Sequence, residues 1–263
     1  SRLRTQDSGL ATRRLTRREL EHLTLRQLHT PRNWSKADIF VGDWPPGSGQ
    51  RVVVKDLKNR PLWVRLLGGR YMLRREWQVL CILRDMAEVP QPIARPDADA
   101  IVIEYRQGKS VMRFARNTLP VEFLEQVEKF VKALHARGVT HGDLHKDNIL
   151  VEEDGSVAFI DWATANAFGP RPHGLKARIF AEWRALDRRA LAKLKALHAP
   201  RTVTPDEREM LLHGGSRLYR GIKRLRHIGE KLRNVHKRDL ASVSAKYGRI
   251  LEQQSLEQKQ KDS

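Results

Sequence analysis

The chain has 263 residues, and its 50 Lys and Arg against 31 Asp and Glu give a formal charge of +19. That length suits one large domain or two small lobes sharing a cleft, and a hydrophobic content of 40% excludes global disorder. A single cysteine, Cys81, excludes an intrachain disulfide framework and a cysteine-based zinc site, and its apolar neighbours fit a small buried hydrophobe. No internal period of about 20 to 50 residues marks a repeat. No apolar run approaches the roughly 18 residues of a membrane span, and the start SRLRTQDSGL has no apolar signal core. The expected location is therefore cytoplasmic. The first residue is Ser1 rather than Met, so a preceding leader stays open. The positive field favours polyanionic partners such as anionic lipid, lipopolysaccharide, RNA or a ribosome, and it also serves solubility alone.

Residues 1–29 are polar and Arg-rich, with Leu15, Leu20, Leu23 and Leu28 near helical spacing, which predicts a basic helical extension. After a turn at 30–35, the β-type runs Ala37–Trp44 and Arg51–Leu57 flank Pro45-Pro46-Gly47-Ser48-Gly49 and predict a hairpin. Val52, Val53 and Val54 are β-branched, as a strand prefers. Beyond Pro61, Leu66, Leu73, Trp77, Leu80 and Leu83 share one predicted helix face that ends before Pro90. Ile101–Tyr105 reads as a buried strand stopped at Gly108. Pro120 opens a helix with Phe123, Leu124, Val127, Val131 and Leu134 inward and Gly138 as its C′ residue. Ile149–Val151 and Val157–Ile160 form a second hairpin around Asp154-Gly155.

From Phe180 the pattern is helical. Leu186, Leu191, Leu194 and Leu197 suit one packed helix. A second stripe follows at Leu218, Ile222, Leu225, Ile228, Leu232 and Val235, ringed by Arg and Lys, and residues 252–263 hold little to bury. Strands early and helices late predict an α+β fold with a sheet-rich lobe over a helical lobe. The expected divisions are an extension over 1–29, an N-lobe over 30–107, a helical C-lobe carrying the second hairpin over 108–216, and a basic helical extension over 217–263.

The strongest chemical signal is HGDLHKDNILV followed by FIDW. Mg²⁺ prefers oxygen ligands and is commonly held by one or two carboxylates together with substrate phosphates. Asn148 and Asp161 supply such oxygens, and Asp143 sits beside them with a carboxylate able to accept a hydroxyl proton. HGDLHKDN resembles the catalytic loop of protein-kinase-like enzymes, H-x-D-L-x-x-x-N, and its Gly142 and His145 resemble the small prokaryotic branches. Those branches are RIO-type kinases, aminoglycoside phosphotransferases and lipopolysaccharide-core sugar kinases. The resemblance implies a bilobal protein-kinase-like fold and ATP with Mg²⁺ as cofactors. It makes Asp143 the catalytic base and Asn148 and Asp161 the metal ligands, and it puts His145 in the catalytic set. VVVK makes Lys55 the α- and β-phosphate lysine, and Arg74-Arg75-Glu76 offers Glu76 as its partner. IVIEYRQG resembles the hinge that holds adenine around Glu104 and Arg106.

The chain departs from the wider family in three places. No GxGxxG precedes Lys55, so Ser35 and Lys36 are the candidates for covering the phosphates, and KADIF resembles the corresponding RIO segment. Asp161 is followed by Trp162-Ala163, and no A-P-E follows, which argues against a phosphorylation-switched activation loop. The first expected acceptor is a sugar hydroxyl of the lipopolysaccharide core, at the inner face of the inner membrane, with the basic C-terminal helix touching anionic lipid. The alternatives are a RIO-like serine/threonine protein kinase and a nucleotide-binding pseudokinase scaffold. A cationic aminoglycoside suits a +19 protein poorly. Nucleic acid ranks below lipid as a partner, because few aromatics interleave with the basic residues.

Overall fold

A computed structural model describes residues 15–29 and 37–212. The chain forms two compact units, residues 1–77 with 91–105 and residues 78–90 with 106–263.

In the first unit a capping box opens helix α1 (Arg17–Glu21). The Thr16 hydroxyl accepts from the Glu19 N–H, and the Glu19 carboxylate accepts from the Thr16 N–H. Strands β1 (Arg26–His29), β2 (Asp38–Asp43) and β3 (Arg51–Asp56) follow. A short turn of helix α2 (Leu62–Val64) runs into a π-helical turn (Arg65–Gly69) and on into α3 (Arg70–Ile82). Strands β4 (Pro92–Ala94) and β5 (Ala100–Glu104) complete an antiparallel sheet of order β1-β2-β3-β5-β4.

The expected first hairpin is β2–β3, with Asp38 opposite Asp56 and Asp43 opposite Arg51. Val52, Val54, Ala100 and Val102 lie on one face of the sheet and pack with Leu15 and Leu20. This is the two-residue alternation that a half-buried sheet requires.

Two local expectations change in this unit. Among the described residues of 1–29 the helix ends at Glu21, and Arg26–His29 is an edge strand pairing with β2. Leu23 and Leu25, two residues apart, both pack on the sheet core, and this extended spacing outweighs the helical reading of Leu23 and Leu28. Beyond Pro61, Leu73, Leu80 and Leu83 are buried as expected, but Leu66 is 59% exposed. The π turn takes up an extra residue, and this rotates Leu66 off the inward face.

The second unit begins within α3 and continues through β6 (Lys109–Ser110), α4 (Val121–Ala136), β7 (Val139–Thr140), β8 (Ile149–Val151) and β9 (Val157–Phe159). A 3₁₀ turn (Trp162–Thr164), β10 (Asn166–Ala167), α5 (Gly174–His198) and α6 (Pro205–Leu212) complete the described part. Helix α4 buries Phe123, Leu124, Val127, Phe130, Val131 and Leu134, the expected face together with Phe130. Phe130 stacks on Phe159 of β9 with centroids 3.9 Å apart, which fixes the second hairpin against this helix. Gly138 is the C′ residue of α4 with φ of +70°, and its backbone lies so close to Gly169 that a Cβ would stand 1.7 Å from the Gly169 carbonyl oxygen. Helix α5 starts at Gly174, before the expected Phe180, and buries Leu191 and Leu194. The expected C-terminal amphipathic helix lies outside the described residues.

Candidate active site

The strand alternation that sends Val52 and Val54 to one face of β3 sends Lys55 to the other, opposite Ile39 and Ile101 in the ladder. On α3, Glu76 follows the buried Leu73 by three residues and precedes the buried Leu80 by four, so it shares their inward stripe. The Lys55 Nζ donates to Glu76 Oε1 at 2.5 Å, with the side chains 9% and 2% exposed. Desolvating two such ions costs several kcal/mol each, a cost that their mutual attraction offsets. The sequence-based pairing of Lys55 with Glu76 is therefore present inside the first unit.

The loop between β7 and β8 carries the second group of candidates. The Asn148 Nδ2 donates to the Asp143 carbonyl oxygen at 3.0 Å, and the Asn148 N–H donates to the His145 carbonyl oxygen at 2.8 Å. The Ile160 N–H in turn donates to the Asn148 carbonyl oxygen at 3.0 Å, locking this loop to the end of β9. The amide nitrogen of buried Asn148 is thus committed, which leaves its side-chain oxygen as the ligand-type atom.

Asp161 is held in the left-handed region, φ 61° and ψ 72°, just before the 3₁₀ turn. A non-glycine residue there stores roughly 1 kcal/mol or more of strain, and such strain is often found at functional sites.

His145 Nε2 lies 3.7 Å from Asp143 Oδ2, and its Nδ1 accepts from the Asp147 N–H at 3.2 Å. The Asp143 carboxylate is the main cause that raises the His145 pKa above its ordinary value; burial opposes it, and Asp147 and Asp161 add to it. His141 is fully buried, and burial lowers its pKa against the pull of Asp187, Asp161 and Asp143. Asp143 and Asp161 therefore act on the same two imidazoles, which brings the two expected carboxylates into one neighbourhood.

Asp187 of α5 was not among the sequence candidates. Its side chain is fully buried; Oδ1 accepts from the Gly142 N–H at 2.9 Å and Oδ2 from the His141 N–H at 2.9 Å. The His135 ring lies 3.1 Å from the same carboxylate. Gly142, at φ of +76°, turns the chain where a Cβ would meet Trp183 and the Thr164 carbonyl. Asp187 and Gly142 together set the backbone from which Asp143 projects. The only signal in the sequence is one acid in the basic and apolar run RALDRRALAK.

The hinge candidates are placed less simply. The Glu104 N–H donates to the Gln91 carbonyl oxygen, and its carboxylate accepts from the Gln91 N–H at 3.0 Å, so these groups of Glu104 serve the β4–β5 edge. The Arg106 guanidinium is held by Glu152, with Nε to Oε1 at 3.1 Å. Ser35 and Lys36 lie outside the described residues.

Among the described residues, no three or more His, Cys, Asp or Glu side chains gather into a metal site by themselves. Mg²⁺ shared with nucleotide phosphates needs no such cluster, and one carboxylate with one amide oxygen is a donor set that fits it.

Residues 66–172 match the RIO domain family. The chain is 28% identical over 139 residues to CBL-interacting protein kinase 25 of Oryza sativa subsp. japonica, which covers 48% of this chain and 26% of that protein. It is 27% identical over 139 residues to sperm motility kinase 1 of Mus musculus, covering 51% of this chain and 27% of that protein. The chain thus spans about a quarter of the length of these curated relatives. Among solved structures, the Rio2 kinase of Chaetomium thermophilum, in a complex with ADP/Mg²⁺ and phosphoaspartate, superposes with a TM-score of 0.50 at 16% identity, covering 90% of this chain and 70% of that one. The chain has a protein-kinase-like α+β fold, sheet-rich in its N-terminal part and helical in its C-terminal part, and residues 66–172 are similar to the RIO domain.

Proposed function

We propose that this protein is an ATP- and Mg²⁺-dependent kinase that moves the γ-phosphoryl group of ATP to a serine or threonine hydroxyl of a protein. The observation that carries the reading is the buried Lys55–Glu76 pair. An ammonium held at 9% exposure by a carboxylate is a fixed positive charge suited to the α- and β-phosphates. Glu76 orients it, and Asn148 and Asp161 would hold Mg²⁺, which would neutralise phosphate charge when bound. Asp143 accepts a hydrogen bond from the acceptor hydroxyl and takes its proton as the new P–O bond forms and the bond to the ADP oxygen breaks. The presence of Lys55, Asp143, Asn148 and Asp161 together favours this reading over a pseudokinase scaffold.

The choice of acceptor rests on the relatives. Those reported above are all named as kinases, one of them as a protein kinase, and none is named for a lipopolysaccharide sugar, so the first-expected acceptor gives way to a protein hydroxyl. The decisive experiment incubates the full chain with γ-labelled ATP and Mg²⁺ against separate protein and glycolipid fractions of a cell extract. Label on serine or threonine of the protein fraction is expected. Label confined to the glycolipid fraction overturns the protein acceptor but leaves the phosphotransfer chemistry standing.

A further inference from the structure

The segment from Arg60 to Arg75 holds five arginines and no acid. Its inner side is fully engaged with the sheet unit. Val64 and Leu73 are buried, and Gly69 presses so close to Leu57 that a Cβ there would lie 2.8 Å from the Leu57 side chain. Arg65 and Arg70 both reach Asp99, and Arg60 reaches Asp38. These contacts fix which side of the segment turns outward.

That outer side is unlike ordinary protein surface. Leu62 is 60% exposed, Trp63 52%, Leu66 59%, Leu67 81% and Tyr71 67%. A single exposed leucine needs no explanation, but five large apolar residues within ten positions form a contiguous patch, and such patches mark interaction sites. The inward contacts of the segment come from Val64, Gly69 and Leu73, so polar residues at Leu62, Leu66 and Leu67 would leave those contacts intact.

The composition selects the occupant. Leucines flanked by a tryptophan and a tyrosine match the residues that settle at a membrane–water interface. Exposed Arg74, one turn beyond Tyr71, adds positive charge beside the patch, and the net +19 of the chain adds long-range attraction to anionic headgroups. The same +19 on each molecule opposes a second copy of the chain as the occupant. No described helix is long and apolar enough to cross a membrane, so the contact is with the bilayer surface at this segment.

We propose that the outward face formed by Leu62, Trp63, Leu66, Leu67 and Tyr71 docks on an anionic lipid bilayer, with the apolar side chains entering the interface and exposed Arg74 beside them facing the headgroups. This surface is independent of the phosphotransfer reading.

The test uses the full chain and co-sedimentation with vesicles of phosphatidylcholine alone or with phosphatidylglycerol added at about one part in four, an anionic fraction large enough to carry a surface potential. Wild type is expected to bind the anionic vesicles and not the neutral ones. L66E/L67E is expected to bind the anionic vesicles at least about tenfold more weakly, because charges replace leucines at the interface. Both positions are more than half exposed, so the variant should fold, and its thermal melt checks that; L67E alone, at the 81% exposed position, is the fallback. Brominated lipid should quench Trp63, read as the difference from W63F. Equal binding by L66E/L67E and wild type overturns the proposal, because the basic charge elsewhere then suffices. Absence of wild-type binding overturns it, and so does a wild-type dimer that L66E/L67E dissolves, which would give the face to a second copy.

Discussion

Asp187 Oδ1 accepts a hydrogen bond from the Gly142 N–H at 2.9 Å, across 45 residues of sequence and from inside the long helix α5. The other oxygen accepts from the His141 N–H at the same distance. A fully buried carboxylate thus satisfies two backbone donors at the turn that precedes Asp143. The helical part of the fold thereby positions the loop that carries Asp143 and Asn148.

Replacing Asp187 with alanine leaves both N–H groups buried without acceptors. An orphaned buried donor costs about 1–3 kcal/mol, so D187A, which orphans two, should lose about 2–6 kcal/mol of unfolding free energy. Asp187→Asn keeps one acceptor oxygen and should lose less. Urea denaturation of both variants checks the order; equal stability of D187A and wild type would remove the loop-anchoring role.

Lys55→Ala strands the Glu76 carboxylate, 2% exposed, without its counter-ion. Breaking a buried pair from one side costs about 3–5 kcal/mol, whereas replacing both partners by apolar residues is often close to neutral. K55A should therefore melt well below wild type, and K55M/E76L should recover most of the difference while remaining inactive in phosphate transfer. Recovery of both stability and transfer in the double variant would show that the pair serves packing alone.

Gly138→Ala should destabilise strongly, since the left-handed φ of +70° and the approach to Gly169 act together. Gly155 is the control: its φ is +81°, but nothing lies within 4 Å of a Cβ built there. The left-handed backbone alone costs about 1–2 kcal/mol, so G155A should lose about that amount and G138A clearly more. Thermal melts of the two variants side by side measure the difference.

Burial lowers the pKa of His141 from its ordinary 6.5, so in acid the unfolded chain takes up a proton that the folded chain resists. By linkage this group contributes full stability above pH 6.5 and loses it as pH falls below that value. His145 acts in the opposite sense. Its raised pKa contributes stability that is fully present below 6.5 and is lost as pH rises through the folded value. His141→Phe should flatten the acid-side slope of unfolding free energy against pH, read from urea melts between about pH 5 and 7.5, the range in which histidine titrates. An unchanged slope would place the acid sensitivity elsewhere.

The parts of the site that were legible in the sequence are those that local chain order imposes. Asp143 and Asn148 share one short loop and Asp161 follows the next strand, whereas the pairing of Lys55 with Glu76 across 21 residues came from the resemblance to kinase motifs. Asp187 was not legible, because its value lies in accepting two distant backbone N–H groups, and nothing in the residues near it encodes that. The π turn at Arg65–Gly69 was hidden for a related reason: helical spacing assumes a uniform repeat, and one extra residue in a turn moves Leu66 to the surface. The edge strand Arg26–His29 was lost to the leucine spacing around it, which fits a helix until the neighbouring strand is known.

The most direct test of the central claim is the rate of γ-phosphate transfer by Asp143→Ala, with ATP affinity measured on the same preparation. Loss of the catalytic base should lower the rate by about 10²–10⁴-fold, while ATP and Mg²⁺, held through Lys55, Asn148 and Asp161, bind within a few-fold of wild type. Transfer at the wild-type rate by Asp143→Ala would contradict the account.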